Sequence, residues 1–342
     1  MIYKNVEFHN VAELTENEDG SVSWKRVPSY VQEHMEAEYG PGMVVNSTGV
    51  EMRFVLKGDK AVIRMSTSEG DGFFHVYRGS IQGGWEDHEL HKLVNTIPED
   101  YVIEKSANMN HLKTMTEKCG YAWDCEVIRV IFDRGKFKIH SIEGDVEIPR
   151  ADQKPSKTLL TYGSSITHGS NAIDMSHAWA YMLGHNFQMD VRNLGMAGSC
   201  AMEPEMVDYI ASEGEKGNWD MATLELGINV LTWEESKIIE RVENTLKQIA
   251  GRNPEKPIIV ISPFYHCGDD FDSEGHAEKW RTLIGQIMSK KEYSNVSYIN
   301  GLDVLGHMRY MCADEVHPNI YGCQRIADYL TEYIRKNVLE RI

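Results

Sequence analysis

The chain lacks long apolar runs. Its N-terminus, MIYKNVEFHNVAEL, has no apolar core of signal-peptide length, and no later stretch approaches the roughly 18 apolar residues that a membrane helix needs. These absences argue against a membrane-spanning protein. They predict a chain with no membrane partner and a cytoplasmic location.

Paired cysteine motifs are also lacking. The six cysteines are scattered without CxxC spacing, at positions 119, 125, 200, 267, 312 and 323. In a chain without an export signal, we expect such cysteines to be free thiols. Cys119 and Cys125 could form half of a metal site, but no second half appears. The sequence therefore predicts no metal and no cofactor.

Positive charge is in short supply. The chain has 35 basic against 52 acidic residues, which gives a net charge of −17. This balance argues against nucleic acid or an anionic membrane as the main partner and favours a small neutral or cationic substrate. The alternative interpretation is that the excess acid only keeps the protein soluble. Composition leaves open whether the chain forms a homo-oligomer.

The 342 residues are enough for two domains. Residues 1–150 contain short β-rich runs with Gly and Asp at the turns, and Val50–Leu56 and Ala61–Ser66 are joined by one such turn. This pattern predicts an all-β sandwich domain of jelly-roll type. One helix is predicted, over Val27–Tyr39. The polar residues 151–157 are the predicted linker.

Residues 158–342 alternate between buried strands and helices. The predicted strands are Thr158–Tyr162, Val191–Leu194, Ala222–Leu226, Ile258–Ser262 and Val296–Ile299. The predicted helices are Ala178–Phe187, Glu234–Ala250, Glu274–Ser289 and Gln324–Val338. Such alternation indicates an α/β domain whose parallel sheet is covered by helices on both faces. Ligands of these sheets bind beyond the carboxyl ends of the strands.

The segment GSSITHGS, residues 163–170, follows the first of these strands. It is not a phosphate-binding loop, because it has no lysine and its glycines have the wrong spacing. It is not a G-x-S-x-G elbow either, because Thr167 stands where the second glycine belongs. Its hydroxyls either cap the next helix or include a nucleophile.

A serine nucleophile needs a base and an orienting carboxylate. Asp314 and His317 are three residues apart just before the last helix, so the carboxylate can fold back onto one imidazole nitrogen. The alternative, metal binding by this pair, lacks a third ligand. Oxyanion donors are expected from the N–H groups of Ser165 and Gly195 and from the amide of Asn229. Asn229 could instead be a simple turn residue.

These segments, in this order, resemble the four motif blocks of the SGNH (GDSL-type) hydrolases. The matching stretches are Gly163–Thr167, Gly195, Gly227–Asn229 and Asp314–Pro318. The resemblance implies a flavodoxin-like three-layer hydrolase domain over residues 158–342. It also implies a Ser165–His317–Asp314 triad with Ser165, Gly195 and Asn229 in the oxyanion hole. Ser164 and Val230 stand where the family usually has aspartates, which puts the fine geometry of the rim in question.

A β-sandwich ahead of such a domain is similar to the arrangement in bacterial carbohydrate esterases that remove acetyl groups from sugars. The resemblance implies a serine esterase for short acyl esters, chiefly O-acetylated carbohydrates. Two alternatives remain open: a lipase- or thioesterase-like enzyme for longer acyl esters, and an inactive carbohydrate-binding protein. His168 is a candidate pocket residue or a surface histidine. Aromatic candidates for stacking on a sugar, or for the sandwich core, are Phe73, Phe74, Tyr77, Trp85 and Trp123.

The loop at residues 263–276 bears on the length of the acyl chain that the site accepts. Its carboxylates, Asp269, Asp270, Asp272 and Glu274, could bind substrate hydroxyls or form only a solvated loop. The loops after Gly195 and Gly227 are short and polar or acidic. The sequence therefore predicts faster cleavage of acetyl than of octanoyl esters.

Overall fold

A computed structural model describes residues 1–84, 92–290 and 292–338 of the chain. The chain divides into two compact units. The first contains residues 1–29, 44–156 and 188–190, and the second contains residues 30–43, 157–187 and 191–342. The sequence placed all of residues 1–150 in one domain, but the structure assigns residues 30–43 to the second unit.

The first 150 residues contain thirteen described strands. In chain order they are β1 (Ile2–Tyr3), β2 (Val6–His9), β3 (Glu13–Glu16), β4 (Val22–Lys25), β5 (Glu51–Leu56), β6 (Lys60–Thr67), β7 (Gly72–Arg78), β8 (Ile81–Gln82), β9 (Lys92–Val94), β10 (Glu99–Glu104), β11 (Val127–Phe132), β12 (Phe137–Glu143) and β13 (Val146–Glu147). The helices are α1 (Ser29–Glu33), α2 (Gly40–Val44) and α3 (Met109–Cys119). Of the helix predicted over residues 27–39, only Ser29–Glu33 is α-helical, with Val31 as its buried residue, and α2 begins at Gly40, after the predicted end.

The first unit is built from two antiparallel sheets. One has the order β1-β2-β5-β11-β7-β8, with β13 beside β5 and β9 beside β7, and the other has the order β10-β6-β12-β4-β3. The runs predicted as β5 and β6 exist, but they lie in different sheets and do not pair. The jelly-roll topology stays a prediction.

The core of the first unit is aromatic and draws on both sheets. Phe8 and Phe132 come from the first sheet, and Trp24 and Phe137 come from the second. The ring centroids of Trp24 and Phe132 are 5.2 Å apart, and those of Phe132 and Phe137 are 4.6 Å apart. Burial of such rings between two sheets stabilises a sandwich.

The aromatic residues proposed for sugar stacking have different environments. Phe74 and Trp123 are buried and therefore belong to the packed interior, whereas Phe73 is 40% exposed. Tyr77 is half-buried beside the Arg129 guanidinium. Trp85 lies outside the described residues.

The predicted linker is packed rather than extended. Residues Ala151–Gln153 form a 3₁₀ turn, Gln153 is buried, and Lys154 pairs with Glu7 at 2.6 Å. The division between the two units falls between Ser156 and Lys157.

The second unit alternates strands and helices as predicted. Its strands are β14 (Thr158–Gly163), β15 (Asp190–Gly195, whose first residue is counted with the first unit), β16 (Met221–Glu225), β17 (Ile258–Ile261) and β18 (Val296–Ile299). Its helices are α4 (Ser165–His168), α5 (Trp179–Phe187), α6 (Pro204–Glu215), α7 (Glu235–Thr245), α8 (Gly268–Phe271), α9 (His276–Ser289), α10 (Gly301–Val304) and α11 (Ile320–Asn337). Short 3₁₀ turns lie at Met175–His177, Ile228–Val230 and Met308–Tyr310, and a π-helical turn at Leu246–Ala250 extends α7.

The five strands form one sheet in the order β15-β14-β16-β17-β18, and β14, β16, β17 and β18 pair in parallel. Counted along the unit, the order is 2-1-3-4-5, which is the flavodoxin-like arrangement. Helices α5 and α11 pack together, and α6, α7 and α9 form a second group. This arrangement brings the loops after β14, β15 and β16 to one edge of the sheet.

Helix α6 is not among the predicted helices, and part of it lies in the predicted loop after Gly195. Its signals are Pro204 in the first turn, the acidic Glu205 beside it and buried apolar residues at helical spacing. Among the described residues, no helix is long and apolar enough to cross a membrane. All six cysteines are free.

Candidate active site

Ser165 is the first residue of α4, directly after β14. Ser164 caps this short helix, because its Oγ accepts a hydrogen bond from the Ile166 N–H at 3.1 Å. The first N–H groups of a helix have no partner within it, so the Ser165 N–H is available to a ligand. The predicted capping role and the predicted nucleophile therefore belong to two adjacent serines.

The structure brings Ser165, His317 and Asp314 together. His317 Nε2 lies 2.7 Å from Ser165 Oγ, and His317 Nδ1 lies 2.8 Å from Asp314 Oδ2. Asp314 Oδ1 accepts the backbone N–H groups of Val316 and His317, so the loop closes on itself. This is the geometry of a nucleophile, a base and an orienting carboxylate.

Asp314 is held ionised by its surroundings. Partial burial alone would raise its pKa, but the N–H groups of His317 and Val316 and the His317 ring lower it below the usual value. Asn171, which follows α4 with a left-handed φ of 62°, donates its amide to Asp314 Oδ2. Sequence reasoning missed Asn171, because only the fold brings the loop after α4 to the loop before α11.

Glu225, at the end of β16, binds residues on both sides of Ser165, namely Ser164 and Thr167. Its fully buried Oε2 accepts the Ser164 N–H at 2.7 Å, the Ser164 Oγ at 2.6 Å and the Thr167 Oγ1 at 3.1 Å. Among the described residues its Oε1 has no partner. Burial raises the pKa of Glu225 to about 7. No local sequence pattern indicated a role for Glu225 at this site.

Asn229 lies in the 3₁₀ turn after β16, and a hydrogen bond fixes the orientation of its side-chain amide. Its Oδ1 accepts the Cys200 N–H at 3.1 Å, whereas its Nδ2 has no hydrogen-bond partner among the described residues. Gly227 sets up this turn with a φ of 121°, and a Cβ there would meet Pro263 and Trp280. Asn229 is therefore both a turn residue and an available donor.

Gly195 does not fit the donor role that was predicted for it. Its N–H donates to Asn193 Oδ1 at 2.8 Å, so it is already engaged. A Cβ at Gly195 would lie 2.2 Å from the His168 backbone N, which explains the glycine by close packing. Gly198, three residues later, has a left-handed φ of 64°, lines the same cavity as Asn229, and its N–H has no partner within the described chain. The two glycines of NLGMAGS could not be told apart by sequence.

His168 is neither a pocket residue nor a surface histidine. Its exposed fraction is 1%, and it ends α4 against the backbone of Gly195. The prediction that it binds substrate is therefore not supported by its position.

The acidic loop at residues 263–276 is tied into the fold. Asp269 pairs with Arg281, Asp270 accepts the Tyr265 hydroxyl, and Asp272 accepts the N–H groups of Glu274 and His276. These three carboxylates thus have partners within the protein, while Asp270 and Glu274 remain exposed, so both predicted roles stay predictions. Within the described ranges, no group of three or more His, Cys, Asp or Glu side chains is placed to hold a metal ion.

Comparison with known proteins places this geometry in a family. Residues 156–335 match the GDSL-like Lipase/Acylhydrolase family. A comparison with curated protein sequences gives no match.

Solved structures share the fold over nearly the whole chain. The salicylyl-acyltransferase SsfX3 of a tetracycline biosynthetic pathway has a TM-score of 0.77 at 15% identity, covering 98% of this chain and 95% of that one. A family two carbohydrate esterase from Cellvibrio japonicus has a TM-score of 0.64 at 12% identity, covering 97% and 95%. The acetyl xylan esterase Est2A from Butyrivibrio proteoclasticus has a TM-score of 0.55 at 14% identity, covering 86% and 92%.

The family match spans more than half of the chain and confirms the resemblance drawn from the four motif blocks. This chain belongs to the GDSL-like lipase/acylhydrolase family and is an ester hydrolase of that family.

Proposed function

We propose that the chain is a serine esterase that removes short acyl groups, chiefly acetyl, from carbohydrates. The observation that carries the proposal is the continuous hydrogen-bonded series from Ser165 Oγ through His317 to Asp314. The β-sandwich unit, which we take to be of jelly-roll type, accompanies this catalytic unit.

The geometry supports a two-step acyl transfer through the protein. Ser165 Oγ attacks the ester carbonyl carbon while its proton passes to His317 Nε2. The oxyanion collapses, the bond to the alcohol oxygen breaks, and that oxygen takes the proton from His317. Water then attacks the acyl-Ser165 ester by the same proton route and releases the acid and the free serine. Asp314 stabilises the imidazolium in both steps.

We assign three donors to the oxyanion that would develop at Ser165. They are the Ser165 N–H, the Gly198 N–H in place of Gly195, and the Asn229 side-chain amide. All three lack a partner among the described residues and are fixed by the fold, so they need little reorganisation when charge develops.

The carbohydrate substrate is supported by two of the similar folds, which are a carbohydrate esterase and an acetyl xylan esterase. A long acyl chain would need a continuous apolar trench near the site. The loops that border the site instead carry polar groups. The longer-chain lipase is therefore the less favoured reading.

A panel of esters tests this proposal. p-Nitrophenyl acetate, p-nitrophenyl octanoate and an acetylated sugar would be compared with wild-type protein and the Ser165→Ala variant. We expect the acetyl esters to be cleaved much faster than the octanoyl ester, and Ser165→Ala to lose several orders of magnitude in kcat. Equal or higher rates on the octanoyl ester would instead favour the lipase-like alternative. No Ser165-dependent turnover of any ester would favour the inactive carbohydrate-binding protein.

A second candidate function is transfer of the acyl group to an alcohol instead of water. It is favoured by the similarity in fold to an acyltransferase and by a cavity beside Asn229 that could hold an acceptor. The test is incubation of the protein with p-nitrophenyl acetate and an added alcohol. An ester of that alcohol, formed in excess over the free acid, would identify acyl transfer.

A further inference from the structure

A cavity of about 230 Å³ lies beside the candidate oxyanion donors in the second unit. We call it the Asn229 cavity. Its lining includes Glu36, Gly198, Ser199, Asn229, Trp233 and Lys237. Because Asn229 and Gly198 are the donors assigned to the carbonyl oxygen, the cavity adjoins the position proposed for the bound ester.

One wall of the Asn229 cavity comes from far away in the sequence. Residues 30–43 belong to the second unit, and Glu36 fixes them there. The Glu36 carboxylate binds Lys237 at 3.1 Å and Arg241, and the Glu36 N–H donates to Glu203 Oε1 at 3.2 Å. This ionic connection holds the segment against α7, so the wall is part of the folded unit.

The same segment places an aromatic ring at the cavity's edge. A Cβ added at Gly198 would lie 3.6 Å from Tyr39 Cδ2, which puts the Tyr39 ring directly beside Gly198. Tyr39 is nonetheless 65% exposed. An exposed aromatic face next to a binding site can cover the apolar C–H face of a sugar ring.

The size of the cavity fits a single ring. An acetyl group has only two carbons and would leave most of the space empty. The volume lies somewhat below the roughly 300–1,000 Å³ of pockets for drug-sized ligands. The alcohol part of the ester, at the size of one sugar ring, matches it better than the acyl part.

The polar groups of the cavity favour a ring with hydroxyls. Lys237 Nζ lies 3.9 Å from the Trp233 ring centroid and uses one N–H for Glu36, so it keeps donors for a ligand. Ser199 is fully buried, and its Oγ has no partner among the described residues. A methylene chain would leave these groups without hydrogen bonds, which is unfavourable.

We infer that the Asn229 cavity binds the alcohol part of the substrate as one hydroxyl-bearing sugar ring, contacted by Tyr39 and Lys237. The inference rests on the proposed esterase function and adds where the sugar is bound. It makes residues 30–43, from the N-terminal half of the sequence, a determinant of substrate specificity.

Two acetate esters with rings of equal size test the inference. Methyl 6-O-acetyl-glucopyranoside carries ring hydroxyls, and cyclohexylmethyl acetate carries none. The quantity measured is the ratio of their kcat/KM values in wild type, Lys237→Met, Tyr39→Ala and the control Lys290→Met. Lys290 is an exposed lysine that pairs with Glu243 at 2.6 Å, so its loss removes a similar ion pair elsewhere. Far-UV circular dichroism verifies that each variant is folded.

We expect wild type to prefer the sugar ester and the ratio to fall roughly tenfold or more in Lys237→Met, since hydrogen bonds to a charged group are the stronger ones. Tyr39→Ala should lower the ratio mainly through a higher KM for the sugar ester, and Lys290→Met should leave it unchanged. The same ratio in all four proteins would overturn the inference while the esterase function stands. An absence of Ser165-dependent hydrolysis of both esters would overturn the esterase function itself.

Discussion

At the residue scale, the oxygen and the nitrogen of the Asn229 side-chain amide have different roles. Its Oδ1 is used by the Cys200 N–H, and its Nδ2 is left for the substrate. Asn229→Ala should lower kcat on p-nitrophenyl acetate by about 10²–10³-fold with a smaller change in KM, because the donor acts on charge that develops in the transition state. An unchanged kcat would reduce Asn229 to its turn function.

Glu225 gives a residue-scale prediction of the opposite kind, for stability. An ordinary glutamate has a pKa of 4.5, but burial raises that of Glu225 to about 7. Between these values the folded chain keeps a proton that the unfolded chain has lost. The free energy of unfolding therefore falls as pH rises through this window, by about 3 kcal/mol, and is level above it.

A glutamine at position 225 cannot ionise, so the free energy of unfolding of Glu225→Gln should not fall as pH rises through this window. Urea denaturation at pH 5 and pH 8 gives the free energy of unfolding of both proteins. The variant should become more stable relative to wild type by about 2–3 kcal/mol between the two pH values. A difference that does not change with pH would contradict the raised pKa.

The site residues that sequence reasoning identified share one property. Ser165, Asp314 and His317 sit in short motifs whose chemistry can be read locally, and the fold brings them within hydrogen-bond distance. Gly195 was predicted as a donor and Gly198 was missed, because hydrogen bonding of a backbone N–H cannot be read from residue types. Glu225 and Asn171 act across the fold, so no local pattern pointed to them.

At the element scale, α11 begins immediately after the His317 loop. Asn319 caps it by accepting the Gly322 N–H at 3.0 Å, and its amide also donates to the carbonyls of Arg309 and Met311. Asn319→Ala should lower the free energy of unfolding by about 1–2 kcal/mol. The control is Gln324→Ala on the same helix, whose exposed side chain donates to Asp328 and whose loss should change stability by less than about 0.5 kcal/mol. Equal effects of the two changes would show that the cap contributes nothing.

The elements of the second unit were easier to predict than their neighbours in the first. In the second unit, the buried apolar runs of β14 to β18 alternate with amphipathic helices. The change from a short apolar run to apolar residues at helical spacing can be recognised in the sequence. In the first unit, a turn after Leu56 joins two predicted β runs, but β5 and β6 lie in different sheets. A short turn sets the direction of the chain and does not decide which strand becomes the partner.

At the scale of the whole molecule, the first unit contains a buried charge network. Glu51 binds Arg129 at 2.6 Å and Arg53 at 2.8 Å, and Arg53 also binds Asp190. Burial alone would raise the pKa of Glu51, but the Arg129 and Arg53 guanidiniums lower it to about 2. The network stabilises the fold as long as Glu51 is charged.

Removing that charge should destabilise the protein. At pH 7, Glu51→Gln should lower the free energy of unfolding by roughly 3–5 kcal/mol, since two buried guanidiniums lose a partner. The contribution is fully present above pH 4.5, the ordinary glutamate value, and is lost as pH falls toward 2, so the difference from wild type should shrink there. Glu147→Gln, which breaks the exposed pair with Lys57, is the matched control and should have little effect. A constant difference down to pH 3 would refute the role of the Glu51 charge.

The most direct measurement is the identification of the side chain that carries the acyl group. The protein would be inactivated with a fluorophosphonate, a reagent that traps activated serines, and digested for peptide mass spectrometry. We expect one adduct, on Ser165, which persists in Ser164→Ala and is absent in Ser165→Ala and His317→Ala. An adduct on Ser164, or ester hydrolysis that continues without any adduct on Ser165, would contradict it.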